Sequence, residues 1–305
     1  MTRLIYFLLL IGWYQPAASQ YYFYNNTYLD PPVILEAGIS IGAMNCFTDL
    51  AGNKGAGKPF IKDLNIKNTQ FCGGAYVHAF YNYIWGFRLE FSLGKLTAAD
   101  SILKNDKSDA GYRYKRNLHF RTTITEVTAV AEFHFLAQLK QNSQDFIPLA
   151  SPYLLAGVGI FHFNPEACIN NNWVLLQPLH TEGQGFKEYP NRPDYKLTQF
   201  NFPIGLGVRY ELSALLNLRL EIIHRILLTD YLDDVSTQYI DPSLFHQYLS
   251  AGQAALAQKL ADRRSELLNS PAYLPGQRRG DPSNKDSFLS INVKLGLVLN
   301  RARRR

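Results

Sequence analysis

Long stretches of the chain alternate between apolar and polar residues. In Trp85–Gly94, the odd positions are Trp, Phe, Leu, Phe and Leu, and the even positions are Gly, Arg, Glu, Ser and Gly. Because successive side chains of a β-strand point to opposite faces, this pattern predicts a strand with one apolar and one polar face. Clear or weaker versions recur at Val33–Gly42, Phe71–Asn82, Ile124–Phe135, Pro152–Phe163, Phe200–Glu211, Leu218–Leu228 and Leu289–Leu299. The sequence therefore predicts eight strands of about 10–13 residues, long enough to cross a bilayer at a tilt.

The polar faces of these predicted strands carry charges of both signs among small residues. A soluble sandwich or lipocalin would turn its apolar faces inward and its polar faces to water. An eight-stranded barrel has room inside only for side chains, which suits a small and nearly neutral polar face. We therefore predict an all-β fold, an eight-stranded antiparallel transmembrane β-barrel of the outer-membrane type, with a plugged lumen and apolar faces toward lipid. The predicted lumen charges are Glu36, Arg88, Glu90, Glu126, Glu132, Arg209, Glu211, Arg219, Glu221, Arg225 and Lys294.

One predicted strand carries three of these charges in alternation, namely Arg219, Glu221 and Arg225. An unpaired charge inside a barrel is costly, so each needs a partner of the opposite sign. We expect Glu221 to pair with Arg219 or Arg225.

The connections between the predicted strands alternate in length. Long ones cover residues 44–68, 98–116, 164–196 and 229–287, and short ones lie near 83–84, 137–150 and 212–216. Outer-membrane barrels have short periplasmic turns and long outer loops, so both ends of the barrel, residues 20–300, are expected in the periplasm. The fourth long loop carries a helical pattern near 242–268, with Asp241 as cap and Pro242 at the first position. We favour a lid on the barrel rim for this helix over a docking helix.

The first 19 residues have the pattern of a signal peptide, with Arg3, an apolar run Leu4–Trp13 and small residues before Gln20. The apolar run is too short to span a membrane as a helix. At the other end, Arg301–Arg305 forms a basic tail that holds four of the net six positive charges. Without it the chain is close to neutral, so the charge gives no reason to expect nucleic-acid binding. The three cysteines Cys46, Cys72 and Cys168 allow at most one disulfide.

Two motifs suggest chemistry, and both are weak. Gly52–Pro59 reads GNKGAGKP, which lacks the Ser or Thr of a P-loop and places a proline where a helix should begin. His162 and His180, with the acidic group Asp230, Asp233 and Asp234, could be drawn as a hydrolase or Ca²⁺ site near the outer rim. No nucleophile occurs in a recognisable context, so we expect rim residues there. We predict no enzymatic activity, no nucleotide, no cofactor and no metal.

Several ordered blocks of the sequence resemble one family. They are LEAGISIGAMNCFTDL (Leu35–Leu50), RNLHFRTTITEV (Arg116–Val127), AGVGIFHFNPEA (Ala156–Ala167), LQPLHTEGQG (Leu176–Gly185), FPIGLGVRYEL (Phe202–Leu212) and TDYLDDVSTQYID (Thr229–Asp241). These blocks are similar to the PorG family of small outer-membrane barrels, which is associated with the type IX (Por) secretion system. The helical segment after Asp241 and the basic tail have no counterpart in the resemblance.

The resemblance implies a non-enzymatic role in protein secretion. Such barrels are expected to tie a periplasmic ring of PorK- and PorN-like proteins to the outer membrane, with membrane lipid as the other partner. The alternative is a stand-alone barrel whose outer loops bind ligands or surfaces, and a third reading is an enzyme with a site at the rim. The first two need the same barrel, so the sequence does not separate them.

Overall fold

Eight strands close into an antiparallel barrel, which confirms the predicted fold class. The computed structural model describes residues 28–303 except 30, 51–65, 105–110, 137–148 and 268–271. The barrel strands are β2 (Val33–Phe47), β3 (Gln70–Tyr81), β4 (Trp85–Ala99), β5 (His119–Phe133), β6 (Ala150–His162), β9 (Thr198–Glu211), β10 (Leu216–Leu227) and β11 (Ser287–Val298). Their order around the wall is β4, β3, β2, β11, β10, β9, β6, β5, and the pairing of β4 with β5 closes the ring.

Four short strands lie outside the ring. A pair at the periplasmic end joins β1 (Tyr28–Leu29) to β12 (Ala302–Arg303). At the outer end, β7 (Glu166–Ile169) and β8 (Asn172–Leu175) form a hairpin that continues the wall, since β7 pairs with β5. The hairpin turns at Asn170 and Asn171, which both have positive φ, as a two-residue hairpin loop of this kind requires.

Several strands run farther toward the outer side than the alternation predicts. β2 continues to Phe47, β4 reaches Ala99, and β5 begins at His119. In these extensions the inward positions are apolar, for example Cys46, Leu96 and Phe120. On β4 and β5 the outward positions of these extensions are polar, for example Lys95 and Arg121. The apolar residues therefore move from the outward to the inward face, and this change of phase interrupts the alternation that marks the strand in the sequence.

The outer surface of the barrel is a band of exposed aliphatic and aromatic side chains. Every barrel strand contributes to it; on β4 it runs through alternate residues from Trp85 to Leu93. Trp85 packs on Phe133 at the periplasmic edge, with ring centroids 4.9 Å apart, as in an aromatic girdle. In the described part of the chain, no helix has the length and hydropathy to span a bilayer. A closed wall with lipid-facing apolar residues and a polar lumen is an outer-membrane barrel, and the predicted localisation is confirmed.

The predicted helix of the fourth outer loop is broken into short pieces. A turn at Pro242–Leu244 leads into α2 (Phe245–Tyr248), followed by α3 (Ala251–Ala261) and α4 (Arg264–Leu267); a separate short helix, α1 (Gly111–Arg116), lies in the second outer loop. Asp241 caps the first turn by accepting from the Ser243 amide, as predicted. The breaks occur where Leu249 and Asp262 take extended backbone, and Ser250 starts α3 with a capping box to Gln253.

The third and fourth outer loops pack into one folded unit, which we call the outer cap (residues 163–197 and 228–286). Its apolar core joins the β7–β8 hairpin region to the helices of the fourth loop. The buried members are Ala167, Leu176, Leu179, Phe186, Ile240, Leu244, Phe245, Ala254, Ala257, Leu260 and Ala261. The helical segment is therefore an integral part of a lid, because its apolar face is the partner of the third loop.

The periplasmic end is closed by Arg301, the first residue of the basic tail seen in the sequence. The residue as a whole is only 8% exposed. It donates to the carbonyl of Ala214, to the carboxylate of Glu211 at 2.7 Å and to the hydroxyl of Tyr83 at 3.0 Å. One residue thus connects the last strand to two periplasmic turns, and the free tail is shorter than expected.

Candidate functional site

All eleven predicted lumen charges are buried inside the barrel. At the centre, Arg88 donates to Glu132 and makes two hydrogen bonds to Glu221, at 2.6 and 3.1 Å. Lys294 contacts the other side of Glu221 at 3.0 Å and also reaches Glu90. Charge-assisted contacts of this kind are the strong class of hydrogen bond, and they link four strands across the lumen.

A second layer lies nearer the periplasm. Arg219 donates to both oxygens of Glu36, at 3.2 and 3.3 Å, and to Glu132 at 2.9 Å. Arg209 lies below it, bonded to Glu211 at 2.9 Å and to Asn217 at 3.1 Å. Glu132 therefore receives two guanidinium groups and joins the two layers.

A third layer lies nearer the outer side. Arg225 donates to both oxygens of Glu126, each at 3.1 Å, and to the Ser290 hydroxyl. Glu126 also accepts from the amide of Asn201 at 2.6 Å and from the Ser92 hydroxyl at 3.0 Å. Above this layer the lumen is filled by apolar side chains, including Met44, Cys46, Leu96, Phe120, Ile124, Phe161 and Phe288.

The partners of Glu221 differ from the expectation. Its cations are Arg88 and Lys294, whereas Arg219 binds Glu36 and Glu132, and Arg225 binds Glu126. The reason is geometric, because inward side chains of one strand are spaced along the wall and reach across the lumen toward other strands. Sequence neighbours on one strand are therefore poor guides to pairing inside a barrel.

The lumen also contains polar aromatic and histidine side chains that were missed in the sequence. Tyr76 donates to Glu36 at 2.6 Å, and Tyr153 donates to Glu221. Glycines make room for them, since a Cβ on Gly207 would collide with the Tyr153 ring and one on Gly296 would collide with Glu36. All of these residues occupy positions of their strands that face the lumen. Because every second residue of a strand faces the same side, counting from the inward charges could have identified them.

One lumen contact has the residue types of a catalytic triad. His134 lies 2.9 Å from the Ser151 hydroxyl and 3.4 Å from Glu132. Its ring is held between Phe80 and Tyr153, with centroids 4.5 and 4.6 Å away. Glu132 is already engaged by two arginines, and all three triad residues are buried. A nucleophile needs an accessible site for a substrate, so this arrangement is structural.

The residues of the suggested rim site do not form one site. His162 is exposed and lies 2.9 Å from the Thr198 hydroxyl, and His180 lies 3.0 Å from Asp194. Asp234 is buried and accepts from Thr181 and Tyr195. Within the described ranges, no group of three or more histidine, cysteine or acidic residues could hold a metal ion. The motif Gly52–Pro59 and the signal peptide, residues 1–19, lie outside the described residues.

Buried carboxyl groups gather where the outer cap meets the barrel. Asp233 accepts from the amides of Leu50 and Val235, and Asp286 accepts from the amide of Leu232. Burial, together with the neighbouring carboxylates of Asp49 and Asp233, raises the pKa of Asp230 to about 8. Burial and Asp49 raise the pKa of Asp233 to about 7. These groups lie above the membrane-spanning strands, and the raised pKa values of Asp230 and Asp233 favour their protonated forms near neutral pH.

A chain of buried arginines connects all four outer loops. Arg116 makes two hydrogen bonds of 2.8 Å to Asp100, and it donates to the carbonyls of Asp49 and Arg279. Arg279 in turn donates to Glu182 at 2.8 Å. Glu182 also accepts from Ser236 and Thr237 in the fourth loop. The outer end of the barrel is thereby held closed by a network that is independent of the lumen layers.

Comparisons with known proteins identify a family and a set of similar folds. The profile of a family described as a domain of unknown function, DUF6089, matches residues 32–243. No curated protein matches the chain in sequence. Neisserial surface protein A is 7% identical, with a TM-score of 0.38, over 88% of this chain and 98% of that one.

Two further solved structures are similar at the same level. Ail of Yersinia pestis is 10% identical, with a TM-score of 0.34, over 87% of this chain and 98% of that one. OprG of Pseudomonas aeruginosa is 10% identical, with a TM-score of 0.36, over 88% and 95% of the two chains. At TM-scores this low the likenesses carry no argument, and the barrel assignment rests on the strand pairing and lipid-facing surface described above.

Proposed function

The chain belongs to the DUF6089 family, and from the sequence blocks that resemble the PorG family we propose that it is a non-enzymatic component of the type IX protein secretion machinery. Its role would be to anchor a periplasmic ring complex, built of PorK- and PorN-like proteins, to the outer membrane. The blocks similar to the PorG family all lie within residues 32–243, the region that the family profile covers.

One observation carries this proposal: the lumen is filled by three layers of paired charges and an apolar upper section. A barrel with this interior has no conduit of its own, so its use to the cell lies in its surfaces or in holding something at the membrane. The two histidines and three aspartates of the suggested rim site also lie apart or in structural contacts. These features favour an anchor over a pore or an enzyme.

A second candidate function rests on the outer cap. The third and fourth outer loops form a folded unit with its own apolar core, and that unit presents a defined surface to the outside. A stand-alone barrel that binds ligands or surfaces through this cap is the alternative. The anchor predicts an essential periplasmic surface, and the alternative predicts an essential outer one.

The test compares variants on the two ends at matched barrel levels. On the periplasmic end, Leu215→Asp alters the exposed β9–β10 turn, and a second variant removes residues 302–305. On the outer end, Lys259→Glu alters an exposed position of α3 without touching the cap core. We expect the periplasmic variants to reduce export of a secreted cargo and to lose crosslinks to periplasmic ring proteins.

Lys259→Glu serves as the matched control and should leave export and crosslinking unchanged. Deleting the whole helical segment would expose the core that Phe245, Ala257 and Leu260 share with the third loop. A surface substitution avoids this unfolding of the cap and is therefore the better control. If the cap variant stops export and the periplasmic variants do not, the anchor is excluded and the outward-binding alternative takes its place.

A further inference from the structure

Two cations face outward on neighbouring strands just above the apolar band. On β4 the outward positions are apolar from Trp85 to Leu93, and the next outward side chain is the exposed Lys95. On β5 the corresponding position is Arg121, which pairs with Thr97, while Lys95 pairs with Thr123. Lys95 and Arg121 are thus diagonal neighbours, and such positions lie about 7–8 Å apart. Both side chains can reach one small anion between them.

Arg121 is held in place by the β7–β8 hairpin. Its Nε donates to Glu166 at 2.8 Å, and its guanidinium lies 3.7 Å from the centre of the Trp173 indole ring. Trp173 also meets His119 edge to face at 5.9 Å. The side chain of Arg121 nevertheless remains 40% exposed. Its two terminal nitrogens have no hydrogen-bond partner in the ranges that the structure describes, so they are available to a ligand.

The charge balance of this wall favours an anion. Glu166 is bonded to the Nε of Arg121, and Glu266, the next carboxylate of the outer cap on this side, is held by Arg263. Lys95 makes no ion pair with any described residue. The hydroxyls of Thr97 and Thr123 lie beside the two cations on the same face. The outward face of β4 and β5 around Lys95 and Arg121 therefore carries more positive than negative charge.

The position of Lys95 and Arg121 relative to the apolar band indicates which kind of anion they bind. Lys95 comes two residues, or about 7 Å along the strand, after the last lipid-facing leucine of β4. That distance places it where lipid headgroups begin, and Trp173, 42% exposed, is the residue type enriched at such interfaces. Phosphate is the anionic group of membrane lipids, and arginine and lysine bind it by charge-assisted hydrogen bonds.

We propose that Lys95, Arg121 and Trp173 form a binding site for the phosphate headgroup of a lipid in the outer leaflet. Lys95 contributes a mobile ammonium, Arg121 presents its free guanidinium edge, and Trp173 supports the guanidinium and contacts the lipid boundary. The site would fix the rotation of the barrel in its membrane and keep the β7–β8 hairpin against the bilayer surface.

Tryptophan fluorescence can test this site directly. The chain has three tryptophans, and Trp13 lies in the predicted signal peptide, so Trp85→Phe in the mature protein leaves Trp173 as the reporter. Diphosphorylated lipid A is titrated into the detergent-solubilised protein. We expect a saturable change in Trp173 emission. Lys95→Gln should shift the midpoint by about tenfold or more, the effect of losing one charge-assisted contact.

Lys95→Gln is the leading variant because Lys95 does not touch Trp173, so the reporter itself is undisturbed. Lys196→Gln, an exposed lysine that precedes β9 on another part of the rim, is the matched control and should not shift the midpoint. Dephosphorylated lipid A with the same acyl chains should give no saturable response. Native mass spectrometry should show fewer co-purified lipids for Lys95→Gln than for Lys196→Gln.

Three results would overturn the proposal. Equal midpoints for Lys95→Gln and Lys196→Gln would show that Lys95 takes no part in binding the lipid. An equal response to the dephosphorylated lipid would show that acyl chains alone are recognised. A response to inorganic phosphate at the same concentration as the lipid would assign the site to a free anion instead of a headgroup.

Discussion

At the scale of single residues, the buried carboxyl groups beneath the outer cap make the structure sensitive to pH. Asp49, Asp230, Asp233 and Asp286 lie close together, and burial raises the pKa of each. The cations that face them are Arg116 and Lys285, and Arg116 is already bound to Asp100. Four acids with so little compensating charge are accommodated best when some of them are protonated.

The sign of the pH dependence follows from these raised pKa values. A carboxyl with a higher pKa in the folded state binds more protons when folded than when unfolded, so stability falls as pH rises. For Asp230 the window runs from its ordinary value of 3.8 to about 8. The cap should therefore open more easily at pH 8 than at pH 5, and the change should be gradual because several groups titrate together.

Asp230→Asn should reduce this dependence. The amide has the size of the carboxyl without its charge, so we expect the cap to be more stable than wild type at pH 8, by on the order of 1–3 kcal/mol. Hydrogen exchange in residues 229–244, corrected for intrinsic rates, measures the effect. Glu188→Gln changes an exposed carboxylate of the same cap, and because the amide oxygen can still accept the hydrogen bond from Tyr248, this control should leave the pH dependence unchanged. A wild-type cap that is equally protected at pH 5 and pH 8 contradicts the prediction.

At the scale of elements, the strands could be predicted well and the outer cap could not. Alternation identifies a strand only where its two faces differ, as on β4 between Trp85 and Leu93. Toward the outer end the lumen becomes apolar while outward positions such as Lys95 and Arg121 become polar, so the alternation changes phase and the predicted strands stop too early. The partners of Glu221 and the packing of α3 on the third loop depend on contacts between distant segments, which a local pattern does not contain.

The sequence contains two local signals that the sequence analysis did not use. Asn170-Asn171 between two short strand-forming runs predicts the β7–β8 hairpin, because asparagine tolerates the positive φ that a tight hairpin turn needs. His78 and His134 lie in the lumen network, and His78 falls on the inward parity of β3 beside Tyr76 and Phe80. Parity along each predicted strand would have extended the list of lumen residues beyond the charged ones.

The face assignment of β10 can be tested by one substitution on its lipid-facing side. Leu220 is 53% exposed on the outer surface and lies between the inward residues Arg219 and Glu221. Leu220→Arg places a charge in the hydrocarbon region and should cost about 2–4 kcal/mol of folding free energy. Refolding into lipid vesicles, followed by urea titration, measures this cost.

Two further variants give that measurement its controls. Leu220→Ile keeps the side chain apolar and should fold as wild type does. Glu221→Gln removes the carboxylate that Arg88 and Lys294 share, and should also destabilise because it leaves buried cations short of a partner. If Leu220→Arg is as stable as Leu220→Ile, the lipid-facing and lumen-facing sides have been assigned the wrong way round.

At the scale of the whole molecule, the barrel is closed at three levels that use different contacts. Arg301 and the periplasmic turns form the floor, the paired charges and apolar side chains fill the lumen, and the arginine chain through Arg116 and Arg279 holds the outer loops together. Closure by the lumen alone would suffice to prevent conduction. The outer cap is therefore not needed as a seal, and its surface is available for the lipid contact proposed above.

Closure by the lumen predicts that the protein does not conduct ions, with or without its cap. Purified wild-type protein in planar bilayers should show no stable conductance. A variant in which residues 229–286 are replaced by a short turn should also stay closed, because the pairs of Arg88, Arg219 and Arg225 lie below the cap. Heat-modifiable mobility on gels verifies that each sample contains folded barrel. A steady nanosiemens channel in the folded wild type would refute the filled lumen. A channel that appears only after cap removal would show that the cap is the seal, and the anchor proposal would then lose the observation that carries it.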